Sequence, residues 1–156
     1  MSENIKNFAE YTKNAYLEYA MSVVKGRSIA CVQDGLKPVH RRIIYAMNKM
    51  GITHTGAPTK SARITGEVIG KYHPHGDTAV YEAMVFLTQD FRHRYPLLEG
   101  QGNFGTRDNA KAYAAARYTE TKFFKMSEVL HEELNEDAVV FLPNYDGKEV
   151  EPEFLP

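Results

Sequence analysis

Tryptophan is absent and cysteine occurs once, as Cys31. A single thiol cannot close an intrachain disulfide, so stability has to come from a packed core, and nothing argues for secretion. Long apolar runs are missing as well. None approaches the roughly 20 residues that cross a bilayer, which excludes a transmembrane helix. Met1 to Glu10 is polar and lacks the apolar h-region of a signal peptide, so a cytoplasmic location is the expectation. No internal repeat or low-complexity tract is visible. Compact carboxylate clusters are scarce too: Glu149, Glu151 and Glu153 alternate along what reads as an extended solvated strand. Such a strand sets same-face side chains about 7 Å apart, too far to converge on a hard cation.

What is present is 156 residues, 43% of them hydrophobic, enough for one domain that buries roughly two thirds of its unfolded surface. The net charge of −1 conceals an uneven distribution. Residues 1–127 hold 18 Lys/Arg against 11 Asp/Glu, and residues 128–156 hold 1 against 9. A basic body suits phosphate neutralisation and counterion release. A solvated surface with an acidic tail accounts for the same counts.

The periodicity predicts a helix over Tyr11 to Val24, with Tyr16, Leu17, Ala20, Val23 and Val24 as its stripe. A second helix opens at Pro38, where the missing N–H costs nothing, and closes at Gly51. Its apolar face is Val39, Ile43, Ala46, Met47 and Met50, which leaves Arg41, Arg42 and Lys49 on a basic flank. Ser61 to Gly70 resumes as a short helix. Lys71 to Gly76 must turn, because Pro74 pushes His73 out of the α region. Asp77 is a good N-cap for a helix over Thr78 to Phe91, whose exposed early positions are Thr78, Tyr81 and Glu82. Helix, tight turn, helix is the frame of a helix-turn-helix and equally of a plain helical hairpin. Tyr95 to Asn109 reads as loops with short strands, and Ala110 to Ala116 as a helix or only a turn. Phe123, Met126, Leu130 and Leu134 predict a helix, and Ala138 to Leu142 a strand. The expected fold class is α+β, helix-dominated.

Few constellations could do chemistry. Free tyrosine has a pKa of about 10, so roughly one in a thousand is ionised at neutral pH. The guanidinium of Arg117 beside Tyr118 would favour both a phenolate and the charge of a phosphoryl transition state. A packed tyrosine next to a surface arginine is the plainer account of the dipeptide. His73, His75 and Asp77 could converge on a metal, but supporting ligands are missing nearby and Pro74 restricts the two rings. Gly100, Gly102 and Gly105 match a dinucleotide fingerprint in spacing only, without the strand and helix such a site needs.

Taken together, several stretches resemble the A subunit of bacterial type IIA DNA topoisomerases, that is, DNA gyrase or topoisomerase IV. The matching pieces are Asn14 to Leu17 with Tyr19 to Val23, Asp34 to Arg42, Gly70 to Asp77, Gly100 to Gly105, and Arg117 to Glu120. The resemblance implies a winged-helix (helix-turn-helix) DNA-gate domain. Residues 1–26 would be an N-terminal arm or helix, 27–142 the cleavage domain, and 143–156 the start of a tower region that the family continues into further domains. It implies that Tyr118 attacks a 5′-phosphate of double-stranded DNA to form a reversible phosphotyrosyl link, with Arg117 stabilising the transition state. Arg27, Lys37, His40, Arg41, Arg42, His73 and His75 would surround the cleaved strand. Thr78 and Glu82 would anchor fluoroquinolones through a magnesium-water bridge. Mg²⁺ would be held mainly by the TOPRIM domain of the B subunit, which also uses ATP, and the full-length A subunit would form a homodimer within an A2B2 heterotetramer. This chain alone is expected not to turn over. Ser28-Ile29-Ala30 stands where the family usually reads Ala-Leu-Pro, and Ala116 where it often has methionine. Phe8 to Met21, Tyr81 to Met84 and Asp108 to Tyr113 look more like topoisomerase IV, and His40 more like gyrase. The competing reading is a winged-helix regulator that binds DNA without cutting it.

Overall fold

The structure, a computed structural model, describes residues 7–135 and 138–156. The first six residues of the expected N-terminal arm lie outside that range. Helix α1, Phe8–Val23, starts on Asn7, whose side chain accepts the N–H of Ala9 at 3.1 Å. It passes into a single wide π-helical turn, Val24–Ser28. The predicted helix is there, but its apolar stripe does not pack inward: no residue of α1 is buried, and Tyr16 and Leu17 are largely exposed.

Helix α2, Pro38–Lys49, begins with its proline in the first turn and is followed by Gly51 at φ 68. Strand β1, Thr59–Lys60, leads into α3, Ser61–Lys71. After the His73-Pro74-His75 turn comes α4, Asp77–Thr88. Its cap falls on Gly76, so Asp77 is the first helical residue, where its carboxylate accepts the N–H of Thr78 at 2.8 Å. An acidic group at that end also suits the helix dipole. Helix α4 stops at Thr88, three residues before the expected Phe91.

Strands β2, Leu98–Gln101, and β3, Glu120–Phe123, pair antiparallel in register Leu98 with Phe123, and β1 pairs with the other edge of β3 through Thr59 and Thr121. The three-stranded sheet β1-β3-β2 beside the α3–turn–α4 pair makes the wing of a winged-helix domain, and the chain is α+β and helix-rich as expected. Phe123 belongs to β3, not to the helix after it. Helix α5, Lys125–His131, and a 3₁₀ turn, Glu132–Asn135, follow. A final hairpin pairs β4, Phe141–Pro143, with β5, Val150–Pro152.

The core is the meeting of α2, α3, α4 and the sheet: Ile43, Met47, Ile64, Val68, Val80, Met84, Leu98 and Phe123 are essentially inaccessible. Each such side chain contributes on the order of 1.5–3 kcal/mol of burial free energy. The last residues also return to this body. Leu155 is buried, and its N–H reaches the Asp34 carboxylate at 3.0 Å.

Candidate active site

Tyr118 is reached along a backbone with little freedom. Gly102 and Gly105 adopt φ 117 and 87, a region side chains other than glycine's rarely enter. A Cβ at Gly105 would lie 2.8 Å from the carbonyl oxygen of Ala110. Between them Asn103 accepts the Gly105 N–H at 2.9 Å and donates to the Ala112 carbonyl at 3.0 Å. The glycine stretch therefore folds the chain tightly back on itself, and no phosphate-binding role is needed to explain it. Gln89 secures the same loop by donating to the carbonyls of Phe104 and Ala110 at 2.7 and 2.8 Å. Ala110 to Ala116 forms turns and one bridge between Tyr113 and Phe104, so its helix propensity is overridden.

The start of α3 pins both sides of the dipeptide. The N–H of Ala62 donates to the Ala116 carbonyl at 3.2 Å and that of Ser61 to the Thr119 carbonyl at 3.0 Å. Beneath them runs a buried chain of hydroxyls. Tyr81 donates to the Ala114 carbonyl at 2.6 Å and lies 3.0 Å from Thr119, which in turn meets Ser61 at 2.9 Å and, through it, Thr121 at 2.8 Å. Tyr81 is 7% exposed, so the expected surface position is in fact an anchor for this segment. Above this floor Tyr118 is 65% exposed, and the guanidinium of Arg117 lies 4.6 Å from its ring centroid. Cation and phenol are thus presented together on a fixed backbone.

A second group gathers around the His73 turn. Arg42, from α2, donates through Nε and Nη2 to the two carboxylate oxygens of Glu151, each at 2.7 Å, and Nη1 lies 2.8 Å from His73 Nδ1. The His73 and His75 rings are 4.6 Å apart. Burial, and after it the positive charges of Arg42, His75 and Arg27, pushes His73 down to about 4. Burial likewise brings His40 down to about 4, helped by Lys37 and His93, while its ring stacks on Phe86 at 5.6 Å. Arg27, Lys37, His40, His73 and Glu82 share one cleft of about 330 Å³. A larger cleft of about 550 Å³ on the other flank of α4 is lined by Thr78, Glu82 and the chain from Tyr113 to Ala116. Thr78 and Glu82 are exposed one helical turn apart, and Glu82 accepts a hydrogen bond from the Tyr113 hydroxyl at 3.0 Å.

Arg41 is not on the expected basic flank. It is 8% exposed and paired with Asp34 through Nε at 2.7 Å and Nη2 at 3.2 Å. Burial raises the Asp34 pKa, but bonds from Arg41 and from the N–H groups of Leu36 and Leu155 outweigh it and hold the carboxyl below its usual value. Glu151, read as solvated, is the residue that sequence reasoning missed. Nothing local marks it, since its partner is 109 positions away. Among the described residues no three His, Cys, Asp or Glu side chains come together as a metal site, and His73, His75 and Asp77 do not form one. No helix among them is long and apolar enough to cross a membrane.

A family model for the A subunit of DNA gyrase/topoisomerase IV matches residues 27–156. The DNA gyrase A subunit of Spiroplasma citri is 56% identical over 150 residues, 96% of this chain and 66% of that protein. The DNA topoisomerase 4 A subunit of Neisseria gonorrhoeae is 56% identical over 153 residues, 98% of this chain and 20% of that one. The DNA gyrase A subunit of Staphylococcus aureus is 52% identical over 153 residues, with 98% and 17% covered. The chain thus spans about two thirds of one relative and about a fifth of the others, and relatives of both names match at 56%.

Proposed function

We propose that this chain, which belongs to the family of DNA gyrase/topoisomerase IV A subunits, is the DNA-cleaving part of a type IIA topoisomerase, with Tyr118 as nucleophile. The observation that carries this reading is the Arg117–Tyr118 pair, exposed on a backbone held from both sides by the start of α3. The phenolic oxygen attacks the phosphorus of a DNA phosphodiester, a bond from Oη to phosphorus forms, and the bond from phosphorus to the 3′-oxygen breaks. The phenolic proton leaves to a base or solvent and the departing 3′-oxygen takes one up, so the cut strand ends in a 3′-hydroxyl and a 5′-phosphotyrosyl group. Resealing is the same exchange reversed and needs no external energy. Arg117 stabilises charge that builds on the phosphoryl oxygens.

Arg27, Lys37 and His40 in the smaller cleft, with Arg42, His73 and His75 beside it, are assigned to the DNA backbone. Arg41 is assigned to holding Asp34, and through it the loop before α2. Mg²⁺, which would supply Lewis-acid and charge-clamping chemistry when bound, is assigned mainly to a B subunit. The same partner is assigned the ATPase, and two-fold pairing of the A2B2 enzyme is assigned to the full-length form of this chain. Thr78 and Glu82, with oxygens on one exposed face, suit fluoroquinolone anchoring.

The test is a detergent-trapped cleavage assay with the chain in its full-length form, together with a B subunit, Mg²⁺ and supercoiled DNA. Protein-linked DNA is expected from the wild type and none from Tyr118→Phe; a link that survives in the variant overturns the assignment. The helix-turn-helix also supports a non-cutting regulator, which predicts salt-sensitive binding with no covalent product in either form.

A further inference from the structure

The contacts of Arg42 decide which nitrogen of His73 carries hydrogen. A guanidinium offers five N–H donors and no acceptor, so the 2.8 Å contact to His73 Nδ1 can only run from Arg42 to the ring. Nδ1 must then present its lone pair, and the hydrogen of a neutral imidazole must sit on Nε2. Whether that contact forms depends on how the guanidinium is turned, and Glu151 sets this. Its two oxygens take Nε and Nη2 in a side-on fork at 2.7 Å each, which leaves Nη1 aimed at the ring. Both side chains are largely covered, with 22% and 16% of their surface accessible, and Glu151 is itself held in β5 opposite Leu142. His73 is fixed from the backbone side too, its N–H donating to the Val68 carbonyl at 2.8 Å.

We propose that Glu151 is a positioning residue: by clamping Arg42 it locks His73 as the neutral Nε2–H tautomer, making His73 a hydrogen-bond donor, not a base, toward an oxyanion in the cleft it shares with Arg27 and Lys37. Nε2 has no partner among the described residues, and the charged and titratable groups around the ring, Arg42 from α2, Arg27 from the π turn and His75 from the turn that holds His73 itself, all oppose a second proton. Three of the five Arg42 donors are used in the relay. Only the identity of that oxyanion, a DNA phosphate, rests on the proposed cleavage function.

Nitrogen-15 correlation spectra of the whole chain at neutral pH, without DNA, test it. The expected wild-type result is a pyridine-type Nδ1 and a pyrrole-type Nε2 for His73; hydrogen on Nδ1 overturns the proposal outright. In Glu151→Gln, whose amide cannot accept both bonds, the preference is expected to be lost and the two nitrogens to average. Glu151→Asp keeps the charge but is one methylene shorter, and the preference is expected to weaken, which separates geometry from charge. If either variant remains folded by its amide spectrum and keeps the wild-type pattern, Glu151 does not position the ring; if both unfold, the wild-type pattern still decides the tautomer, and Arg42→Lys, which cannot bridge both partners, decides the relay. Failure of the cleavage function would appear as absent protein-linked DNA in the Tyr118 assay while the His73 pattern stayed as described.

Discussion

Arg41 and Arg42 on α2 are each held by a carboxylate, whereas Arg117, among the described residues, meets none and lies over the ring of Tyr118. All three belong to the basic body over residues 1–127, yet they answer different physical demands. A covered guanidinium has to be paired, because its desolvation costs several kcal/mol otherwise. An exposed one keeps its hydration and its donors and can spend them on an incoming phosphate. Arg42 stands between the two, clamped on one edge by Glu151 and touching His73 with the other. A count of basic residues thus overstates how many are ready for a phosphate, and the carboxylates nearby decide which remain so.

The paired state matters most at Arg41. Arg41→Ala would leave Asp34 covered without its main partner, and breaking a buried pair costs about 3–5 kcal/mol, which a lower urea midpoint would register. A loss under about 0.5 kcal/mol would mean that water replaces the guanidinium and that Arg41 is not structural. Arg117→Ala sharpens the other side. Its stability should change by no more than about 0.5 kcal/mol, while DNA cleavage by the assembled enzyme should fall by about 10²–10³-fold, the usual cost of losing one oxyanion-stabilising donor. Unchanged cleavage would place the phosphoryl-stabilising charge elsewhere.

The last effect vanishes at neutral pH and appears only as pH falls. His73 and His40 both lie near 4 in the folded chain against about 6.5 unfolded, so below pH 6.5 the unfolded chain binds protons that the folded one refuses. Their contribution is complete above about 6.5 and declines as pH falls toward 4. Asp34 acts lower down: its carboxyl is held below the usual value, so its stabilisation is present above about 3.9 and disappears as pH falls through the folded pKa. Urea midpoints followed from pH 7 to 4 should decline in wild type and decline less steeply in a His40→Gln variant, where the His73 share remains; equal slopes would show that His40 titrates normally.

Local grammar made much of the fold legible. Pro38 and Gly51 bracket α2, Pro74 and Gly76 enforce the turn, and the apolar spacing of α3 and α4 locates their buried faces. The misreadings have one cause. Tyr16 and Leu17 have helical spacing but nothing among the described residues covers them, and Tyr81 reads as surface until the hydroxyl chain through Thr119 and Ser61 takes it inside. Phe123 fits a helical pattern with Met126 and Leu130, but pairing with Leu98 draws it into β3.

By itself the sequence determined the helices, the glycine hinge before Tyr118, the adjacency of Arg117 and Tyr118, and the family those motifs spell out. These are properties of neighbouring residues, set by dihedral limits, side-chain spacing and covalent order. Only the tertiary structure decided which charges are available: Asp34 reaches Leu155 across 121 positions and Glu151 reaches Arg42 across 109. Burial and ion pairing are settled by whatever the folded chain brings alongside, and no local pattern carries that information.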